Sequence, residues 1–308
     1  EIASCLVGSE MCIRDRFYNQ TIFWRLLQMS IKFITDSGSD ILAPHDSRLN
    51  VLPLTIRFDE DEYKDGATIT HHEFYEKLIE SDTLPKTSQV TPYIFEEAIS
   101  EARSDGSDVL IITISSRLSG TYQSACIAAA EFDEGVYVVD SENVSVGEKA
   151  LVTYAMQLAD SGMQCADIAD ELNSRKQSLH TLALLDTLEY LKKGGRISKT
   201  VALAGSLLSI KPVVTVREGE VAILGKARGS KQGNNFLIEQ VKSFGIDFTK
   251  PVFLGYTGLS DVMLKKYIND SKDIWEGHAD ILKTGTIGGA IGTHVGPGAI
   301  AVAFFADI

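Results

Sequence analysis

Four short clusters of hydroxyls, acids and small residues carry the chemistry this sequence offers: Thr35-Asp-Ser-Gly-Ser-Asp40, Lys86-Thr-Ser-Gln89, Ser115-Ser-Arg-Leu-Ser-Gly-Thr121 and Asp140-Ser-Glu-Asn143. Each falls where a strand is predicted to end or a helix to begin. Hydroxyls beside the unpaired amides and positive dipole end of a helix N-terminus suit an oxyanion, such as a carboxylate or a phosphate. In an open parallel sheet the loops at the carboxyl ends of the strands converge on one crevice, so the spacing predicts that the four clusters share a site. Taken singly, Ser37, Thr91 and Ser119 read equally well as helix caps, and 86–89 as a turn ahead of Thr91-Pro92.

The second half adds two motifs. Lys192-Lys-Gly-Gly-Arg-Ile-Ser-Lys199 sets four cations and two glycines between helices, and Gly292-Thr-His-Val-Gly-Pro-Gly298 presents a histidine among turn formers. Arg196 can clamp a carboxylate or phosphate and His294 can donate to one. Equally, Arg196 can neutralise a helix C-terminus and His294 can be an ordinary hydrogen-bonded loop residue. Catalytic templates fail. There is no G-x-S-x-G elbow and, despite His71-His72-Glu73, no H-E-x-x-H. The glycines between 285 and 298 are not expected to follow a strand and open a helix, as a dinucleotide or phosphate loop requires. Many hydroxyls without a recognisable base favour binding over bond breaking, with a hydrolase built from Ser119, His294 and an early Asp left open.

Composition narrows the classes. A chain of 308 residues, 44% hydrophobic and 23% charged, is too apolar for a disordered tail and long enough for one large or two modest domains. No apolar run approaches the ~18 residues of a membrane span. Acids outnumber bases 42 to 29, and the net charge of -13 repels nucleic acids and anionic lipid surfaces. Cys5, Cys12, Cys126 and Cys165 form no C-x-x-C pair and have no histidine at metal spacing, which predicts reduced thiols, a cytoplasmic location and no metal. Residues 1–28 lack both periodicity and the pattern of a secretory signal; they are expected to be extraneous or disordered, with the natural start at Met29.

These side chains need elements to hold them. Short β-branched runs alternating with helical patterns from Ile31 onward predict crossover units and a mainly parallel sheet. Strands are expected at 32–35, 51–56, 109–114 and 136–139, with helices over 70–79, 91–103 and 119–131. Beyond them come helices from 146 and over 166–178, a strand at 181–185, helices at 188–193 and 200–208, and a hairpin of 213–217 with 221–226. Helix, strand, helix and strand at 230–243, 252–256, 261–269 and 280–283, with the apolar end 299–305, complete a mixed sheet. The expected fold is therefore α/β in two domains, a mainly parallel one over 30–164 and a mixed one over 165–308.

Taken in order, Ile34-Thr-Asp-Ser-Gly-Ser-Asp40, Lys86-Thr-Ser-Gln89, Ile114-Ser-Ser-Arg-Leu-Ser-Gly-Thr-Tyr-Gln-Ser-Ala125, Val139-Asp-Ser141, Gly194-Gly-Arg-Ile-Ser-Lys199 and Thr293-His-Val-Gly-Pro-Gly298 form a series. It resembles the DegV family of bacterial fatty-acid-binding proteins across nearly the whole chain after Met29. The resemblance implies a two-domain α/β fold holding one long-chain fatty acid, with no other cofactor and no catalytic residue. It also implies a role as the acyl-binding subunit of a fatty acid kinase, whose dihydroxyacetone-kinase-like subunit phosphorylates the bound carboxylate to an acyl phosphate for phospholipid synthesis. Carried over by motif, Thr87 and Ser119 would hold the carboxylate with Ser88 and Gly120 beside them, and Arg196 and His294 would serve as head-group or kinase-docking residues. One departure is Val90-Thr-Pro92, where family members follow T-S-Q with Pro-Ser. Two rival readings are a small phosphotransferase or hydrolase using the same crevice, and a regulatory module whose acidic face docks a partner. Leu203, Leu207, Leu208 and Ile210 are expected to be ordinary core.

Overall fold

Strands that are apolar without alternation need cover on both faces, and the first sheet has it. In the computed structural model, which describes residues 30–42, 46–197 and 210–306, that sheet is wholly parallel. Its order is β2 (Leu49–Leu52), β1 (Ile31–Asp36), β6 (Asp108–Thr113), β7 (Val136–Asp140). Side chains alternate between two cores: Phe33, Leu110 and Ile112 enter one, Ile34, Val109 and Ile111 the other. Helices His71–Glu80, Pro92–Ala102 and Thr121–Ala129 cover the Ile34 side through Phe74, Tyr75, Phe95, Ile99 and Ala125.

The Phe33 side is shared. Helix Val146–Asp160 packs on this sheet and on a second, six-stranded one, so a single core runs through Leu151, Phe253, Ala303 and Phe305 and crosses the 164/165 division. The second sheet has the order β10 (Glu220–Arg228), β9 (Ile210–Arg217), β8 (Leu179–Leu184), β13 (Ile300–Phe305), β11 (Phe253–Tyr256), β12 (Lys283–Thr286). Only β11 and β12 are parallel neighbours. Its far face, with Leu182, Leu254, Val302 and Phe304, carries helices Gly229–Phe244 and Val262–Asp270. The α/β class with one parallel and one mixed sheet is thus the expected one.

Local signals set the boundaries. Thr70 and Glu73 form a reciprocal capping box ahead of His71, with Thr70 N donating to Glu73 Oε2 at 2.8 Å and Glu73 N to Thr70 Oγ1 at 3.2 Å. The β9–β10 hairpin turns through Glu218 and Gly219, both at positive φ, the geometry whose twist matches the flanking strands.

Four expectations fail. The run 51–56 is two strands: Pro53-Leu54 takes the chain out of β2 and into β3 (Thr55–Phe58), which belongs to a third sheet of order β4 (Asp61–Lys64), β3, β5 (Lys86–Ser88). That small antiparallel sheet is absent from the sequence reading because β4 and β5 are short and polar. The segment 86–88, expected as a turn, is its edge strand. The strand expected at 280–283 begins at Lys283, since Ala279–Ile281 is a 3-10 turn. Finally, β12 does lead through glycines into a helix, Gly289–Val295, with Gly288 as its N-cap. The expected helix 200–208, Leu203, Leu207, Leu208, Ser198, Lys199 and residues 1–28 with Met29 all lie outside the described residues; Ile210 is half-buried at the start of β9.

Candidate functional site

Thr87 lies in β5 opposite Ile56, and its Oγ1 is 2.9 Å from His294 Nε2. His294 occupies the last turn of the helix Gly289–Val295, whose start is held by two buried carboxylates. Asp40 Oδ1 accepts from Gly288 N at 2.7 Å, and Asp65 Oδ1 accepts from Gly289 N at 3.0 Å. These acids satisfy amides that the first turn cannot pair internally. Gly292 is required because a Cβ there would fall 2.6 Å from Tyr75 Oη. Gly194 is required on the other side, where a Cβ would collide with the His294 ring, so the Gly194-Gly-Arg196 turn passes directly against the imidazole.

Burial, assisted by the Arg196 charge, lowers the His294 pKa to about 4, so the ring is neutral at neutral pH. Its Nδ1 is buried with no hydrogen-bond partner among the described residues. The pattern assigns the hydrogen to Nε2, which donates to Thr87 and leaves the threonine hydroxyl hydrogen free for another acceptor. Arg196 bridges the site: Nη1 donates to Gly194 O at 2.7 Å and Nε to Leu118 O at 3.2 Å. Among the described residues no carboxylate lies within ion-pair distance of it.

Ser119 ends the loop that follows β6. That loop is pinned from beneath: Asp36 Oδ2 accepts from Ile114 N at 2.9 Å, Asn143 O from Ser115 N at 2.9 Å, and Asp140 from Ser116 N. Ser119 Oγ sits 2.9 Å from Thr121 Oγ1 at the start of helix Thr121–Ala129, with Gly120 as N-cap. Ser119 Oγ also accepts from Thr121 N at 3.3 Å, so it faces the helix N-terminus and a hydroxyl, not His294.

All six residues expected at the site, Thr87, Ser88, Ser119, Gly120, Arg196 and His294, line one cavity of about 340 Å³. Its other walls are mainly apolar: Leu54, Ile114, Leu118, Val144, Leu191, Val221, Ala290, Ile291 and Val295. Five of these also border a second chamber of about 60 Å³ beneath it, floored by Ala183, Val214 and Ala301. Those three stand in register across β13, β8 and β9, and the two alanines leave the space that larger side chains would fill. The whole therefore has one end of hydroxyls, a neutral imidazole and a guanidinium, and one apolar end.

The other two clusters do not line this cavity. Thr35–Asp40 and Asp140–Asn143 sit one layer behind, where Asp36, Asp40, Asp140 and Asn143 brace the loops that do. Burial raises Asp36 and Asp40 to about 7. Asp65 is a further residue of the site's construction that sequence reasoning did not single out, and Gln89 was named there only within its cluster, with no role of its own. Asp65 lies at a turn with no motif around it, whereas Gln89 stands in the T-S-Q motif. Among the described residues no group of three metal-ligating side chains occurs and no helix is long and apolar enough to cross a membrane.

Comparison with known proteins agrees with this architecture. The model of the DegV family matches residues 30–307. A DegV domain-containing protein of Caldanaerobacter subterraneus is 34% identical over 281 residues, spanning 89% of this chain and 98% of that protein. The solved structure of a fatty-acid-binding DegV family protein from Thermus thermophilus superposes with a TM-score of 0.79 at 30% identity, over 91% of this chain and 100% of that one. The Fatty Acid Kinase (Fak) B3 protein of Streptococcus pneumoniae, solved loaded with linoleic acid, superposes at 0.78 over 91% and 100%; at 22% identity that likeness carries the fold. With the family model spanning nearly all described residues and a relative alike over almost its whole length, this chain belongs to the DegV family.

Proposed function

We propose that this protein binds one long-chain fatty acid, with its carboxylate among Thr87, Ser119, Arg196 and His294 and its tail in the apolar chambers. The observation that carries the reading is the cavity's polarity: donors gather at one end and hydrocarbon walls continue from it into a second chamber. At ~0.8 kcal/mol per buried methylene, a sixteen-carbon tail gains roughly 12 kcal/mol of gross transfer free energy. Affinity then resides in the tail, and the polar end needs only to orient the head group. Solved relatives described as fatty-acid binders support the ligand class.

The second part of the proposal is that the chain is a carrier in the cytoplasm, presenting the acid to a separate dihydroxyacetone-kinase-like subunit for acyl phosphate formation and phospholipid synthesis. That partner is the one the family resemblance implies, and the name of the Fatty Acid Kinase (Fak) B3 protein is consistent with a kinase partner. In the step itself a carboxylate oxygen forms a bond to the terminal phosphorus of the partner's nucleoside triphosphate, and the nucleoside diphosphate leaves. Hydroxyl donors hold one face of the carboxylate and leave a lone pair free for that attack. The arrangement of groups favours a carrier over a hydrolase: Ser119 pairs with Thr121, His294 faces Thr87, and Asp36 and Asp40 are engaged with backbone amides.

Extraction of the purified protein followed by mass spectrometry should yield a long-chain fatty acid at about one per chain. The chain alone should form no acyl phosphate from ATP, and addition of the kinase subunit should produce it. An empty cavity that also refuses added fatty acid would refute the binding reading; ATP turnover by the chain alone would favour the phosphotransferase.

A further inference from the structure

The two hydroxyls proposed to meet one carboxylate come from different sheets, and what sets their spacing is a third side chain. Thr87 lies on β5, a three-residue edge strand whose one strand partner among the described residues is β3. Ser119 lies on the loop after β6, in the parallel sheet. No backbone hydrogen bond joins 86–90 to 115–129. One side-chain hydrogen bond does: Gln89 Nε2 donates to Ser124 Oγ at 2.7 Å. Ser124 is buried in the first turn of the helix that Gly120 caps.

Gly120 is shaped to accept this contact. A Cβ at that position would lie 2.8 Å from Gln89 Cδ and closer still to its Oε1, so the amide rests directly over the Gly120 backbone, next to Ser119. Gln89 itself is exposed and lines the cavity, so it lies across the mouth and is not a core anchor. A short edge strand bound on one side has little else to fix it against a loop of another sheet.

We propose that Gln89 is a positioning residue: through Ser124 and over Gly120 it clasps the Thr87 strand to the Ser119 loop, so that both hydroxyls reach the same carboxylate. This rests on the fatty-acid reading above and names a determinant of its head-group recognition. Gln89 lines the upper cavity and does not border the lower chamber, so the clasp governs discrimination between head groups and leaves tail affinity alone.

The test compares palmitic acid with hexadecanol, which shares the tail and lacks the carboxylate, by calorimetry on the full chain. Wild type should favour the acid. Gln89→Ala and Ser124→Ala should each lose about tenfold of that preference, the effect of one hydrogen bond, with hexadecanol affinity unchanged. The double variant should be no worse than either single one, because both remove the same link. Gly120→Ala, which leaves the amide chemistry intact but displaces it, should give the same loss. An unchanged preference, an equal weakening for both ligands, or additive losses in the double variant would overturn the clasp. If wild type binds neither ligand, the fatty-acid reading falls and the clasp falls with it.

Discussion

The polar end and the apolar end of the cavity are made by opposite means. At the polar end, each group arrives from a different element, and hydrogen bonds fix its place: β5 brings Thr87, the β6 loop brings Ser119, the Gly194-Gly195 turn brings Arg196 and the helix Gly289–Val295 brings His294. At the apolar end, one cross-strand row of small residues, Ala301, Ala183 and Val214, makes room by what it lacks. The first kind of site is sensitive to geometry and carries specificity for the head group. The second is sensitive to volume and carries affinity and tail length.

The comparison breaks most visibly at the tail. Ala301→Leu should fill the lower chamber and displace two or three methylenes, costing about 2 kcal/mol, or roughly thirtyfold, for a sixteen-carbon acid. A ten-carbon acid should lose little. Titration with acids of graded length checks this, and equal losses at all lengths would show that the chamber does not hold the tail. At the polar end, Thr87→Ala or Ser119→Ala should weaken the acid about tenfold and leave the alcohol of the same length unaffected. Retained acid affinity in both variants would remove the carboxylate from that position.

The smallest effect sharpens the view of the layer behind the polar end. Asp36 and Asp40 are buried and raised to about 7, and Glu148 and Asp65 are raised by the same desolvation. An acid whose native pKa exceeds its unfolded one retains a proton that the unfolded chain has released, so stability falls as pH rises between the two values. Stability from Asp36 and Asp40 is therefore lost as pH rises towards and through 7, and Glu148 and Asp65 act in the same direction. His294, lowered to about 4, acts in the opposite sense, and only as pH falls below its ordinary value of 6.5. Melting temperature is expected to rise by a few degrees from pH 8 to pH 6.5, as calorimetry would record. A flat or inverted profile would mean that these acids ionise without cost.

What was legible in the sequence divides along the same line. The strands β1 and β6 were readable because apolar runs covered on both faces leave a strong pattern, and the helix at His71 because Thr70 and Glu73 are a local signal. The head-group residues were readable as short motifs of hydroxyls, glycines and a cation, although Thr87 stands in a strand and His294 in a helix and not in the turns their composition suggests. The role of Asp36 and Asp40 was not: an acid amid serines and glycines reads as a ligand loop, and only the fold reveals that it caps amides one layer behind. Lys86–Ser88 reads as a turn because three polar residues carry no strand period. Gly289–Val295 reads as a loop because its glycines serve close contact with Phe74 and Tyr75, a long-range demand with no local trace. The tail chamber was invisible for the same reason, as Ala301, Ala183 and Val214 are unremarkable until β13, β8 and β9 align them.

The central claim is that one carboxylate sits between Thr87 and Ser119. Carbon-13 NMR of carboxyl-labelled palmitic acid bound to the protein tests it most directly. The expected spectrum has a single bound carboxyl resonance, shifted from the free acid and moved by both Thr87→Ala and Ser119→Ala. A resonance indifferent to both substitutions, or one that titrates like the free acid in water, would contradict it.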